Sequence, residues 1–176
     1  MKENEVYMLV ALRRSKDEEN AKRKALCRRH VVSGNVEEAV EQLMDRCHES
    51  GLWRLYRTVN KRDLTKGLKQ LQVELVLNGE DFKDNVAGKW KSLLMKPNCR
   101  AEKKWLVDLD SKDEELYEKV LKSLKAHTTV CEECETPNGR HLVVMPFDRR
   151  EFDKTFEYDP VELKKDCLVF VRAFKR

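Results

Sequence analysis

Short runs of strand-like alternation and longer stripes at helical spacing divide the chain. Val6-Tyr7-Met8-Leu9-Val10-Ala11-Leu12-Arg13 is almost wholly apolar, which predicts a first strand covered on both faces. A charged stretch then runs from Arg13 and Arg14 to Arg29, with Lys22, Arg23, Lys24, Arg28 and Arg29 clustered. Its spacing allows a helix with Ala21, Ala25 and Leu26 turned inward, and its outer side is a candidate polyanion-binding face. Asn35, followed by Glu38, suits the start of a helix in which Val36, Ala39, Val40, Leu43, Met44 and Cys47 share one side. Leu52 to Val59 alternates as a strand: Trp53, Leu55, Arg57 and Val59 fall on one face, Arg54, Tyr56 and Thr58 on the other. Arg54 and Arg57 therefore cannot both face the same site.

Asp63 can cap a further helix with Leu64, Leu68, Leu71 and Leu75 inward, closed by Asn78-Gly79. Phe82, Val86, Trp90, Leu93 and Leu94 mark another, ending near Pro97. Trp105 to Leu109 reads as a strand, and Ser111 with Glu114 makes a capping box ahead of Leu116, Val120, Leu121 and Leu124. Strands near 128–135 and 141–145, a short helix at 149–156 and a last strand at 168–174 complete the pattern. This order predicts an α+β fold, a sheet covered by helices on one side. One domain over 1–176 is expected, with an N-terminal α/β half at 1–102 and a second half at 103–176.

Composition narrows the functional classes. Charged residues make up 39% of the 176, well above the usual quarter, so the surface is dense in both signs. A net charge of +4 tolerates a polyanionic partner without establishing one. No apolar run approaches the roughly 18 residues of a membrane span, and the charged start Met1-Lys2-Glu3-Asn4-Glu5 leads straight into a strand. The expectation is a soluble, cytoplasmic protein with no membrane partner. Among the six cysteines only Cys131 and Cys134 have ligand-like spacing, and a structural zinc site needs two more ligands than that pair supplies.

The chemistry concentrates in two places. Val107-Asp108-Leu109-Asp110 puts two carboxylates on one face of a strand end, where they repel unless a cation lies between them. Such hard oxygen ligands suit Mg²⁺ or Mn²⁺, which complete their shell with water or substrate phosphates. About thirty residues on, Thr136-Pro137-Asn138-Gly139-Arg140-His141 uses turn chemistry to deliver a histidine to the start of a strand, from which Arg140 alternates away.

The pair resembles the archaeo-eukaryotic primase superfamily, the primase-polymerases and the polymerase domains of end-joining ligases, and in size the small members carried by phages and mobile elements. Its Asp-x-Asp strand end matches Asp108 and Asp110, and its small-residue turn into a histidine strand matches Thr136 to Val144. Many members have serine two positions before the histidine, where this chain has Gly139. The resemblance covers residues 103–176 and implies a mixed, mainly antiparallel RRM-like sheet and two-metal nucleotidyl transfer onto a nucleic-acid strand. It implies Asp108 and Asp110 as ligands of Mg²⁺ or Mn²⁺, with a third acid from Asp159, Glu162 or Asp166. Asp166 is preferred and Glu162 is the alternate. His141 would sit by the phosphates of a nucleoside triphosphate, with Thr136, Asn138 and Arg54 or Arg57 as further phosphate contacts, and Lys103 or Lys104 as additional candidates. Expected partners are a single-stranded or primed template and nucleoside triphosphates. Two other readings use the same residues: a catalytically inactive nucleic-acid-binding accessory protein, and a metal-dependent nuclease in which water replaces the primer hydroxyl.

Overall fold

A computed structural model describes residues 4–14, 25–32, 34–82, 85–156 and 160–176. Every strand pairing is antiparallel, and the strands form two sheets. The α+β class with antiparallel pairing is as expected, and the single sheet expected is two.

The first sheet has β1 (Glu5–Arg13) at its centre, between β2 (Leu26–Val32) and β3 (Leu52–Thr58). The two-residue β4 (Arg62–Asp63) pairs the start of β1, and β9 (Leu168–Lys175) closes the far side of β3. Helix α1 (Val36–Asp45) covers one face, capped by Asn35, whose side chain accepts from the Glu37 N–H. Ala39, Val40, Leu43 and Cys47 pack there against Leu9, Ala11, Trp53 and Leu55, all buried. Val40, Leu43, Leu9 and Leu55 each contribute roughly 1.5–3 kcal/mol on burial.

The helical reading of the basic stretch is corrected in part. Residues 26–32 are strand β2, and 15–24 lie outside the described residues. Alternation of Leu26, Arg28, His30 and Val32 against Cys27, Arg29 and Val31 suits an edge strand, and β1 would otherwise expose an unpaired edge.

Helix α2 (Leu64–Asn78) begins at Asp63, whose carboxylate accepts from the Lys66 N–H, and packs against α3 (Val86–Leu94). The leucine stripe expected to bury α2 does not: Leu68 and Leu75 are exposed. Contact runs instead through Gly67, where an added β-carbon would lie 2.3 Å from Leu94 Cδ2. The missing side chain is the notch that receives Leu94.

The second sheet has the order β6-β7-β5-β8. These are β5 (Trp105–Leu109), β6 (Val130–Glu135), β7 (Arg140–Val144) and β8 (Val161–Lys164). Its outer face is covered by α4 (Glu114–His127) and α5 (Arg150–Thr155), with Val107, Val120, Leu124, Leu142, Val144 and Phe152 in the core. Asp113, not Ser111, caps α4, because its carboxylate reaches the N–H groups of Glu115 and Leu116. Between the sheets lies a smaller core of Val59, Leu106, Val143 and Val169. No helix among the described residues is long and apolar enough to cross a membrane.

Candidate functional site

Register in the second sheet assembles one row of side chains. Asp108 pairs His141 on one side and Glu162 on the other, and His141 in turn pairs Cys134. Residues opposite each other across a ladder share a face. Cys134, His141, Asp108 and Glu162 therefore cross the sheet on the side that looks toward the first sheet. Alternation puts Val107 and Leu142 on the helix side, and Arg140 with them, where it holds Glu114 through two N–H groups and lies over Tyr117.

His141 is fixed through both ring nitrogens. Its Nδ1 accepts the Phe170 N–H at 3.0 Å, which assigns the ring proton to Nε2, 3.2 Å from Asp108 Oδ1. The other carboxylate oxygen of Asp108 accepts from Lys164 Nζ at 2.7 Å, and that ammonium also reaches Glu162 at 2.8 Å. Burial pushes the Asp108 carboxyl upward, but the hydrogen bonds and charges of His141 and Lys164 outweigh it and hold the group at about 2. Lys164 is desolvated too, and its bonds to Asp108 and Glu162 raise it above its ordinary value nonetheless.

The turn between β6 and β7 positions the other residues. Thr136 donates its N–H to the Gly139 carbonyl, and its hydroxyl accepts the Gly139 N–H. A β-carbon at Gly139 would lie 1.9 Å from the Leu109 carbonyl oxygen and 2.7 Å from the Ser111 nitrogen. Thus the turn is pressed onto the backbone on either side of Asp110. A side chain at this position is therefore excluded unless the turn moves.

Together these elements wall a cleft of about 580 Å³. Asp108, Asp110, His141, Thr136 and Asn138 line it from the second sheet, with Lys164 beside them. Arg14, Arg54 and Tyr56 line it from the first, and the Arg14 guanidinium donates to the Tyr56 hydroxyl at 2.8 Å. The chain matches no family model, no curated protein and no solved structure.

Several expected site residues lie elsewhere. Arg57, on the opposite face from Arg54, pairs Glu132 and stacks over Tyr7. Lys103 and Lys104 do not line the cleft, and Lys104 pairs Glu102. Asp166, the preferred third acid, is engaged by other groups: the Arg62 guanidinium holds both its oxygens, at 2.8 and 3.1 Å, and the Asn60 amide donates to one of them. Arg62 is only 1% exposed, so this pair is a buried strut, and neither residue is among those that line the cleft. Asp159 lies outside the described residues. Glu162 is exposed and sits next to Asp108 across the ladder, so it is the acid that geometry favours.

Arg14, Tyr56 and Lys164 were not legible as site residues. Lys164 belongs to a four-residue strand too short to show its period, and Arg14 stands just past the end of β1.

The carboxylates that could hold a divalent cation are those of Asp108 and Asp110. Asp108 and Asp110 both face the cleft, Glu162 is adjacent, and Lys164 has Glu162 as a second partner if its bond to Asp108 is given up. No group of three or more ligating side chains is assembled among the described residues.

Proposed function

We propose that the cleft binds a nucleoside triphosphate against a nucleic-acid strand and performs primase-polymerase-like nucleotidyl transfer. One observation carries this reading: Asp108, Asp110, His141, Thr136, Asn138 and Arg54, separated in sequence, line a single cleft with Arg14 and Lys164. Carboxylates next to cationic side chains suit a triphosphate that arrives with a metal ion. Asp108 and Asp110 would hold Mg²⁺ or Mn²⁺, with Glu162 as the nearest further acid; such an ion neutralises phosphate charge and favours in-line displacement.

The chain's own groups have separable tasks. Arg14, Arg54 and Lys164 bind phosphate oxygens. His141 gives its ring N–H to Asp108, so it orients that carboxylate and is not the nucleophile. Lys164 balances Asp108 before substrate arrives and is the side chain that must change partner when Asp108 engages a cation.

A second reading is favoured by that same ammonium. Lys164 bridges Asp108 and Glu162, supplying in protein form the positive charge between carboxylates, which suits an accessory protein that binds nucleic acid without catalysis. Nucleotide incorporation on primed and unprimed single-stranded templates with Mn²⁺ decides between them. Extension by the wild type that vanishes in Asp108→Ala/Asp110→Ala supports transfer. Binding of single strands by both proteins without extension by either moves the assignment to the accessory role. Cleavage of the template that depends on the two aspartates would instead mark a nuclease.

A further inference from the structure

A second opening lies at the β2 edge of the first sheet, between that strand, α1 and the start of α3. Its volume is about 430 Å³, and its charged lining is all cationic: Arg28, Arg29, Arg46, Lys89 and Lys91. Glu49 answers Arg28. No carboxylate among the described residues pairs with Arg29, Arg46, Lys89 or Lys91 in an ion bridge. Arg29 reaches across to the Ser92 hydroxyl at 3.0 Å, and Arg46 approaches His30 Nδ1 at 3.4 Å. His30 reports the local potential: burial, then the charges of Arg46 and Lys91, depress its protonation. The N-terminal turn of α3 adds its positive end, since Asn85 and Gly88 also line the opening.

This groove adjoins the cleft. Leu12 lines the cleft, its ladder partner Cys27 lines the groove, and such partners share a face roughly 5 Å apart. Four cations that no carboxylate among the described residues holds in an ion bridge concentrate positive charge here, in a molecule whose net charge is only +4. A spaced row of phosphates, continuous with whatever enters the cleft, is the polyanion that fits both facts.

We propose that this groove carries the sugar-phosphate backbone of a single nucleic-acid strand and delivers it past Leu12 into the cleft. The delivery step rests on the function proposed above; the strand-binding step does not. Binding is electrostatic and indifferent to sequence, because the cations point at phosphates and the lining offers no stacked aromatic platform.

The test is fluorescence anisotropy of a labelled twenty-nucleotide oligothymidylate with the full chain, across a salt series. The variant Arg46→Gln/Lys89→Gln/Lys91→Gln is compared with Lys119→Gln/Lys122→Gln/Lys125→Gln, which removes the same charge from exposed positions of α4. Both are checked for wild-type melting behaviour. The groove variant is expected to bind at least about 10-fold more weakly near 0.1 M salt, with a log–log salt slope flatter by about 2, from three lost contacts at ~0.7 each. The α4 variant should stay within about 2-fold of wild type. Equal weakening by the two variants, or unchanged affinity in the groove variant, overturns the proposal. So does a groove variant that loses binding to phosphatidylserine vesicles while keeping the oligonucleotide, since that marks a membrane surface. Strand binding that depends on the groove, in a protein that never incorporates nucleotide, would keep the groove and remove the cleft's proposed chemistry.

Discussion

Gly139 is the residue on which the cleft's geometry turns. Because its β-carbon position is already taken by the backbone of Leu109 and Ser111, Gly139→Ser must push the turn away from the end of β5. Overpacking of this kind costs about 2 kcal/mol, or roughly a 6 °C fall in melting temperature for a chain of this size, and calorimetry measures it. Melting unchanged from wild type would mean that the turn yields freely. Asp108 makes a second prediction at this scale. Its carboxyl sits at about 2 against an ordinary 3.8, so the linked stability is fully present above pH 4 and disappears as pH falls through 2. The stability advantage of wild type over Asp108→Asn should therefore shrink by roughly 2 kcal/mol between pH 4 and pH 2 in urea unfolding. A constant difference across that window would deny the bonds to His141 and Lys164. The aspartates and the histidine turn were legible because each lies in a short local pattern. Lys164 and Arg14 were not, because what makes them site residues is register between strands distant in sequence.

At the scale of elements, the strut from Asp166 to Arg62 and Asn60 joins the β8–β9 connection to the β3–β4 turn. Asn60 also donates to the Lys104 carbonyl and accepts the Lys104 N–H, which brings in the start of β5. Asp166→Ala would strand a buried guanidinium, at a cost of about 3 kcal/mol in chemical denaturation. The affinity proposed for triphosphate in the cleft should be unchanged at temperatures below the transition. Selective loss of metal-dependent activity without loss of stability would return Asp166 to the site. From sequence alone an acid just before a strand looks the same whether it meets a metal or an arginine. The same limit explains β2 and β8. Neither shows a clean apolar face of its own over a long run, and they become strands only because β1 and β5 offer edges to pair with. The long apolar and strongly periodic elements, β1, α1, β3 and α4, were readable because their own pattern suffices.

At the scale of the molecule, the expected halves at 1–102 and 103–176 exchange an element. β9 comes from the second half and pairs with β3 of the first, while its Phe170 N–H donates to His141 and its Phe170 carbonyl accepts from the Cys134 thiol at 3.5 Å. One residue thereby ties both sheets at the cleft floor. His141→Phe keeps a ring but removes the acceptor, and exchange of the Phe170 amide should accelerate at least about 10-fold by NMR. Unaltered exchange would place the protection of that amide elsewhere. The pairing of β9 also sets an order on synthesis. As the chain leaves the ribosome, Leu52–Thr58 has β1 on one side and nothing on the other until Leu168–Lys175 has been made. Until then the nascent protein presents an open strand edge beside an unfinished cleft, the stage at which a holding chaperone has most to protect.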